Sequence, residues 1–383
     1  KMKKTIIIVL VVLFAGWHTT QAQDLSMYHL LNDSAYQTVE EYQTGNKYQK
    51  DAILFMDMVA ETHPYYVKAD RREEWFGKKK GLLERCKDFQ TDEEFIDALI
   101  DVLGSLHDKH TDITTAKRQM EKKTEALMKM NPQEMKARAD RAHIMRPHTS
   151  WYDTQYFPEQ GICYLQFNKC SNASNYPFPK FLDDMFAEME KADMKTLVVD
   201  VQYNPGGNDG LCFELLQRLY PFREMKMMTA YMRFSDLAAI MDPSISLMKK
   251  KWEDEGHKDE LYKLPTGQLP ADYQQPKIFD GKVVFVQGET TYSSAGTLLV
   301  HARDNHIGTI IGTISTYSPS HYGNIALYRL PNTNAYGTIS TRYFIRPDVE
   351  HENEKVLEPD VIIDLYDKDA AWQYIVDNYG KKE

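Results

Sequence analysis

Cysteine is scarce in this chain. Cys86, Cys163, Cys170 and Cys212 are the 4 cysteines in 383 residues, far below the density of a disulfide-stapled scaffold, so the fold must rest on an apolar core. Cys163 and Cys170 flank an apolar stretch that reads as a strand, and the two ends of a strand cannot easily be bridged, so mostly free or buried thiols are expected. Basic charge is also short: 46 Lys+Arg against 56 Asp+Glu leave a net charge of −10. That argues against an electrostatic nucleic-acid binder, which needs a basic face to displace phosphate counterions. No apolar run approaches the roughly 20 residues of a membrane-spanning helix, and no internal repeat or low-complexity tract occurs. What remains is an ordinary folded composition, 42% apolar and 12% aromatic, at a length that suggests two or three domains.

The first residues read as an address. Lys1, Lys3 and Lys4 precede an apolar run from Ile6 to Gly16 and a polar stretch ending Thr20-Gln21-Ala22, the layout of a secretory signal peptide over residues 1–22 with cleavage before Gln23. No cysteine follows near that point, so a lipid anchor is not expected there. The mature chain is expected in the periplasm or outside the cell, without stable membrane insertion.

From Tyr48 to about His143 apolar residues recur at helical spacing, and an all-α N-terminal domain is expected over residues 23–150. Phe95, Leu99, Val102, Leu103 and Leu106 fall on one stripe, and Thr91-Asp92-Glu93-Glu94 before it has capping-box form. Pro64 ends an earlier helix. Lys117 to Arg141 reads as a charged helical arm. After Trp151 short β-rich runs alternate with helical segments, the texture of an α/β core over residues 151–383. Leu197-Val198-Val199 and Val283-Val284-Phe285-Val286 are continuously apolar, as strands covered on both faces are. An insertion is expected around 221–280, and a β-hairpin appended to the core around 324–344.

Two strand-turn-helix units carry chemistry. Val198 to Val201 empties into Asn204-Pro205-Gly206-Gly207 before a helix from Asp209, a turn that can present backbone N–H groups to an oxyanion or serve as a plain connection. Lys282 to Val286 runs into a turn and then Ser293-Ser294-Ala295-Gly296, which opens a helix. Serine there is a nucleophile favoured by the helix dipole or an N-cap. His107-Asp108-Lys109-His110-Thr111 offers an imidazole that titrates near neutrality and can take a serine proton. His107 and His110 with Asp108 could also hold a metal, but no further ligand cluster accompanies them, and no metal or cofactor is expected. His63, His301 and His321 read as surface or core histidines.

These residues together resemble the secreted serine peptidase family of the carboxyl-terminal processing (tail-specific) proteases and the tricorn protease core. The matching pieces are His63-Pro64, Asp108-Lys109-His110-Thr111, Asp200 with Asn204-Pro205-Gly206-Gly207, Thr291-Tyr292-Ser293-Ser294-Ala295, Ile311-Gly312, Ser320-His321-Tyr322-Gly323, Leu330-Pro331-Asn332 and Glu358-Pro359-Asp360-Val361. They occur in family order across roughly residues 50 to 365. The resemblance implies an α/β, crotonase-like (ClpP/crotonase) core preceded by a small all-α domain, with catalysis at their junction. It makes Ser293 the nucleophile and His110 the general base, with Glu352, or as the second candidate Glu354, orienting the histidine. The oxyanion donors would be the N–H groups of Gly206, with Gly207 as the alternative, and Ser294.

The chain is closer to the tricorn-like branch. The tail-specific branch takes its base from a lysine about 25 residues after the serine, yet no lysine lies between Lys282 and Lys355. The stretch between Thr111 and Gly161 is too short for that branch's PDZ module. Gly296 replaces the usual acidic residue after the nucleophile motif, and Gly312-Thr313-Ile314-Ser315-Thr316 lacks the usual Gly-Glu. The implied function is a serine-type peptidase acting on peptides or unfolded proteins through an acyl-enzyme. The alternative is a catalytically inactive relative that binds a peptide or apolar ligand in the same cleft.

Overall fold

The computed structural model describes residues 25–129, 144, 150–257, 260–265 and 269–381. The expected signal peptide and the part of the charged arm beyond Lys129 lie outside the described residues. In chain order the elements begin with β1 (His29–Leu30), α1 (Glu40–Thr44), α2 (Lys47–Thr62), α3 (Ala69–Arg85), α4 (Asp92–Leu103) and α5 (Ala116–Lys129). Then come β2 (Tyr152–Phe157), β3 (Ile162–Phe167), α6 (Phe178–Lys191), β4 (Thr196–Asp200), α7 (Asp209–Leu216), β5 (Thr229–Met232), α8 (Asp236–Met241), α9 (Ser244–Asp254) and β6 (Tyr262–Lys263). The chain continues with β7 (Lys282–Gln287), α10 (Ser294–Asp304), β8 (Thr309–Gly312), β9 (His321–Arg329), β10 (Tyr336–Ile345), β11 (Val361–Ile362) and α11 (Lys368–Tyr379). Among the described residues no helix is long and apolar enough to cross a membrane.

The chain divides into two compact units. Among the described residues, the first takes those up to Leu127 and those within Arg233–Leu261 and Asn324–Thr341; the second takes those within Met128–Met232 and Tyr262–Gly323 and those from Arg342 onward. This differs from the expected division in three ways. The boundary falls near 127 instead of 150, the middle of the 221–280 insertion folds with the first unit, and so do residues 324–341 of the hairpin expected on the core.

Burial explains the regrouping. Leu237 of α8 and Ala326, Tyr328, Leu330 and Ile339 of the hairpin bury in one cluster with Phe55, Met56, Phe95 and Leu99 of the helices. The first unit is therefore not all-α, because the hairpin supplies one wall of its core. In addition β1 pairs in parallel with β9, His29 opposite Tyr328 and Leu30 opposite Arg329. The helices start where their caps dictate: Asn46 before α2 and Thr91 before α4 both form complete capping boxes, the latter with Glu94 as its sequence implies. Asp51 of α2 is fully buried and accepts from Asn332 Nδ2 (2.8 Å) and Thr333 N–H (2.7 Å), which holds the hairpin turn against the helix.

The second unit is built on a six-stranded sheet in the order β11-β8-β7-β4-β3-β2. β3, β4, β7, β8 and β11 run parallel to their neighbours, and only the edge strand β2 is antiparallel, to β3. Leu197, Val199 and Phe285 face a cluster with Leu182, Leu215 and Leu298 of α6, α7 and α10, whereas Val198, Val284 and Val286 face Ala371 and Ile375 of α11. Covering on both faces is why β4 and β7 read as unbroken apolar runs. Parallel pairing of β4 with β7 also sets the turns that leave them at the same edge of the sheet, where α/β folds bind ligands.

Candidate active site

All five residues of β4 are buried, and the strand empties at Asp200 into a turn shaped by Asn204. The buried Asn204 side chain donates from Nδ2 to the carbonyl of Phe167 (2.8 Å) and accepts on Oδ1 from the N–H of Gly206 (2.8 Å). Gly206 and Gly207 then take φ of +95° and +142°, conformations that exclude most side chains. Space excludes them as well: a Cβ on Gly207 would stand 2.2 Å from the Cys170 carbonyl oxygen.

The turn after β7 is tied to this one. Tyr292 N–H donates to Asn204 O (3.0 Å), Thr291 Oγ1 donates to Val201 O (2.8 Å), and Ser294 Oγ donates to Gly207 O (2.9 Å). Between these ties sits Ser293 at φ +51°, ψ −127°. A non-glycine residue held there carries roughly 1–3 kcal/mol of backbone strain, which persists only where the surroundings enforce it. Ser293 occupies the N-cap position of α10, yet its side chain makes no cap hydrogen bond. The capping role that its residue type allowed is therefore unused, and its hydroxyl has no hydrogen-bond partner among the described residues.

Of the three expected oxyanion donors, Gly206 is engaged, because its N–H is given to Asn204 Oδ1. The N–H groups of Gly207 and Ser294 donate to no group among the described residues. Behind them, Gly296 admits the ring of Tyr317: a Cβ there would lie 2.3 Å from Tyr317 Cδ1. The Tyr317 hydroxyl bonds to Thr297 Oγ1 (2.9 Å) and to the His321 ring (2.9 Å to Nδ1).

Glu352 lies in the same unit and accepts from Tyr343 Oη (3.0 Å). Glu354 pairs with Arg346, which also grips Asp304 (2.6 Å) in a buried ion pair. His301 is a core residue, with Nδ1 at 2.9 Å from Thr297 O and Nε2 accepting from Met228 N–H (3.3 Å).

His110 belongs to the first unit. After α4 and a short 3-10 turn (Gly104–Leu106), His107 turns the chain at φ +50° into the loop that carries Asp108 and His110. Asp108 Oδ2 accepts from Thr111 Oγ1 (2.6 Å), Ser340 Oγ (2.7 Å) and the ring of His63 (3.1 Å). Its Oδ1 accepts from the N–H of His110 (2.9 Å) and lies 3.6 Å from His110 Nδ1. Burial alone would raise the Asp108 pKa, but the hydrogen bonds from His110, His63 and Thr111 outweigh it and hold the carboxylate well below its usual range.

His63 is wholly buried, and burial pushes its pKa down against the pull of Asp108. Its Nδ1 accepts from Tyr65 N–H (3.2 Å), so the proton of the neutral ring sits on Nε2 and is donated to Asp108. Thr338 Oγ1 caps the carbonyl of His110 (2.7 Å). The same loop borders an open groove of about 610 Å³ lined by Ile100, Leu103, His107 and Lys122, among others. No group of three His, Cys, Asp or Glu side chains among the described residues is arranged to hold a metal ion.

Sequence reasoning did not identify Asn204 as the shaper of the glycine turn, or the carboxylate cluster of Asp108 with His63 and Ser340. His63-Pro64 and Asp108 were visible as motif pieces, but their contact is made only in the fold.

A serine on a strained turn at the edge of a parallel sheet, with unengaged N–H groups in the turns around it, is a construction suited to acyl transfer. Residues 161–363, just over half of the chain, match the sequence model of peptidase family S41, and the chain belongs to that family of serine peptidases. No curated protein sequence matches it. Among solved structures, a candidate peptidase from Parabacteroides merdae ATCC 43184 is 15% identical with a TM-score of 0.53, over 85% of this chain and 92% of that one. A lipoprotein from Streptococcus agalactiae is 11% identical with a TM-score of 0.50, over 85% and 95%. The photosystem II D1 C-terminal processing protease is 12% identical with a TM-score of 0.47, over 84% and 94%. The first two likenesses are of fold.

Proposed function

We propose that this protein is an exported serine peptidase that cleaves peptide bonds through an acyl-enzyme on a crotonase-like core. The observation that carries the reading is Ser293, strained, making no cap hydrogen bond, and with a hydroxyl that has no hydrogen-bond partner among the described residues. Ser293 Oγ attacks the scissile carbonyl, and its proton passes to His110, which returns it to the leaving amine. The N–H groups of Ser294 and Gly207 receive the oxyanion. Gly206 shapes the hole through Asn204 and does not donate to it. Water then releases the acyl group from Ser293.

The acid that orients His110 is Glu352 by family resemblance, whereas Asp108 is the carboxylate already beside the His110 ring. Substitution separates the two: the true partner, changed to its amide, lowers kcat by 10²-fold or more, on the order of other triads, and the other leaves it nearly unchanged. The whole reading is tested by hydrolysis of fluorogenic unstructured peptides. Activity abolished by Ser293→Ala supports it, and activity indifferent to Ser293→Ala sinks it. The competing reading, an inactive relative that retains a peptide or apolar ligand, draws on Gly296, where Tyr317 fills the space that an acidic side chain would need. It predicts binding without turnover, indifferent to His110→Ala.

A further inference from the structure

Two of the four cysteines meet directly beneath the glycine turn. Cys170 and Cys212, both buried and both in the second unit, have sulfurs 3.6 Å apart. Cys170 follows β3, and its main chain brackets the turn: its N–H donates to Gly206 O (3.1 Å) and its carbonyl accepts from Asn208 N–H (2.8 Å). Its sulfur also receives Asn204 Nδ2 at 3.5 Å. Cys212 lies in α7, and its thiol donates to the carbonyl of Ser294 (3.2 Å). One sulfur therefore touches the residue that shapes the glycine turn, and the other touches the first residue of the helix behind Ser293.

The sulfurs are at van der Waals separation with nothing between them. A closing movement of about 1.5 Å brings them to bonding distance, and the bonds given up are weak thiol contacts. Cys86 and Cys163 make no sulfur–sulfur contact among the described residues, so the pairing is specific. We propose that Cys170 and Cys212 are a disulfide site, and that the bridge fastens the Gly206–Gly207 turn to α7.

The reaction is a dithiol oxidation by a disulfide of the glutathione or protein-oxidase class. One cysteine thiolate attacks the oxidant and releases one thiol. The other thiolate then displaces the second, so two protons and two electrons leave the pair and the oxidant is reduced to two thiols. The contact with the Cys170 sulfur and burial both raise the Cys212 pKa, so thiolate is scarce in the folded state and the bridge forms mainly as the chain folds. An oxidising compartment, as the signal-peptide reading implies, favours that outcome. The proposal holds whether or not Ser293 is a nucleophile.

The test is thiol mapping of the full chain after unfolding and refolding with oxidised glutathione. The sample is alkylated in denaturant without reductant, digested and read by mass spectrometry. The expected result is a linked peptide pair containing Cys170 and Cys212, 2 Da lighter than the free pair, with Cys86 and Cys163 alkylated. Reduction should lower Tm by about 5 °C, and the double variant Cys170→Ser/Cys212→Ser should show no redox dependence of Tm. Full alkylation of Cys170 and Cys212 without reductant would overturn the proposal, as would linkage of either to Cys86 or Cys163.

Discussion

Gly206 and Ser293 approach so closely that a Cβ on Gly206 would stand 2.6 Å from the Cβ of Ser293 and 2.8 Å from the N–H nitrogen of Ser294. No side chain fits between the turn and the serine, and φ of +95° at Gly206 disfavours one independently.

Gly206→Ala is therefore expected to push Ser293 and the Ser294 N–H out of position. Peptidase kcat/KM should fall by about 10²-fold or more, the size of effect seen on losing one oxyanion donor. Steady-state kinetics beside a thermal melt checks this. A variant that keeps its activity would show that the close approach has no bearing on catalysis.

Asp108 and His63 are expected to show in stability. Asp108→Asn leaves the Thr111, Ser340 and His63 donors to share one neutral acceptor, at a cost of about 2–4 kcal/mol at pH 7. The His63 pKa is lowered in the folded state, so the unfolded chain takes up its proton first. His63 therefore contributes stability that is present above its unfolded pKa of about 6.5 and is lost as pH falls, by up to about 1.4 kcal/mol per pH unit. Urea unfolding at pH 7.5, 6 and 5 should find the gap between the parent protein and His63→Gln narrowing on acidification. A gap that widens contradicts the assignment of a buried neutral imidazole.

Much of the core was legible in the sequence for a plain reason. Leu197-Val198-Val199 and Val283 to Val286 are apolar at every position because both faces of their strands are covered, and Thr91 with Glu94 is a local signal that needs no distant partner. The hairpin was legible as a hairpin but not in its allegiance, which depends on Tyr328 and Ile339 meeting helices far away in sequence. β1 has two residues, too few for any periodicity. At the site, Ser293 could be a cap or a nucleophile by residue type, and the feature that separates the two is a backbone angle imposed by Val201, Asn204 and Gly207. Asp108 meets Ser340 across 232 positions, which no local pattern records.

Gly296 is held by Tyr317, whose buried ring occupies the place of its missing side chain. Gly296→Asp should destabilise the second unit by about 3 kcal/mol or more through overpacking and an unpaired buried charge. Adding Tyr317→Ala should return part of that loss, because the double variant vacates the contested space. Chemical denaturation of the two single variants and the double measures the coupling, and strictly additive losses would show that the two residues do not compete.

The central claim is that Ser293 is an activated nucleophile. Its most direct test is fluorophosphonate labelling of the folded chain beside Ser293→Ala and His110→Ala, with the modified peptide mapped by mass spectrometry. The account predicts stoichiometric modification at Ser293, absent in Ser293→Ala and strongly slowed in His110→Ala. A folded chain that takes up no label, or labels at another residue, contradicts it.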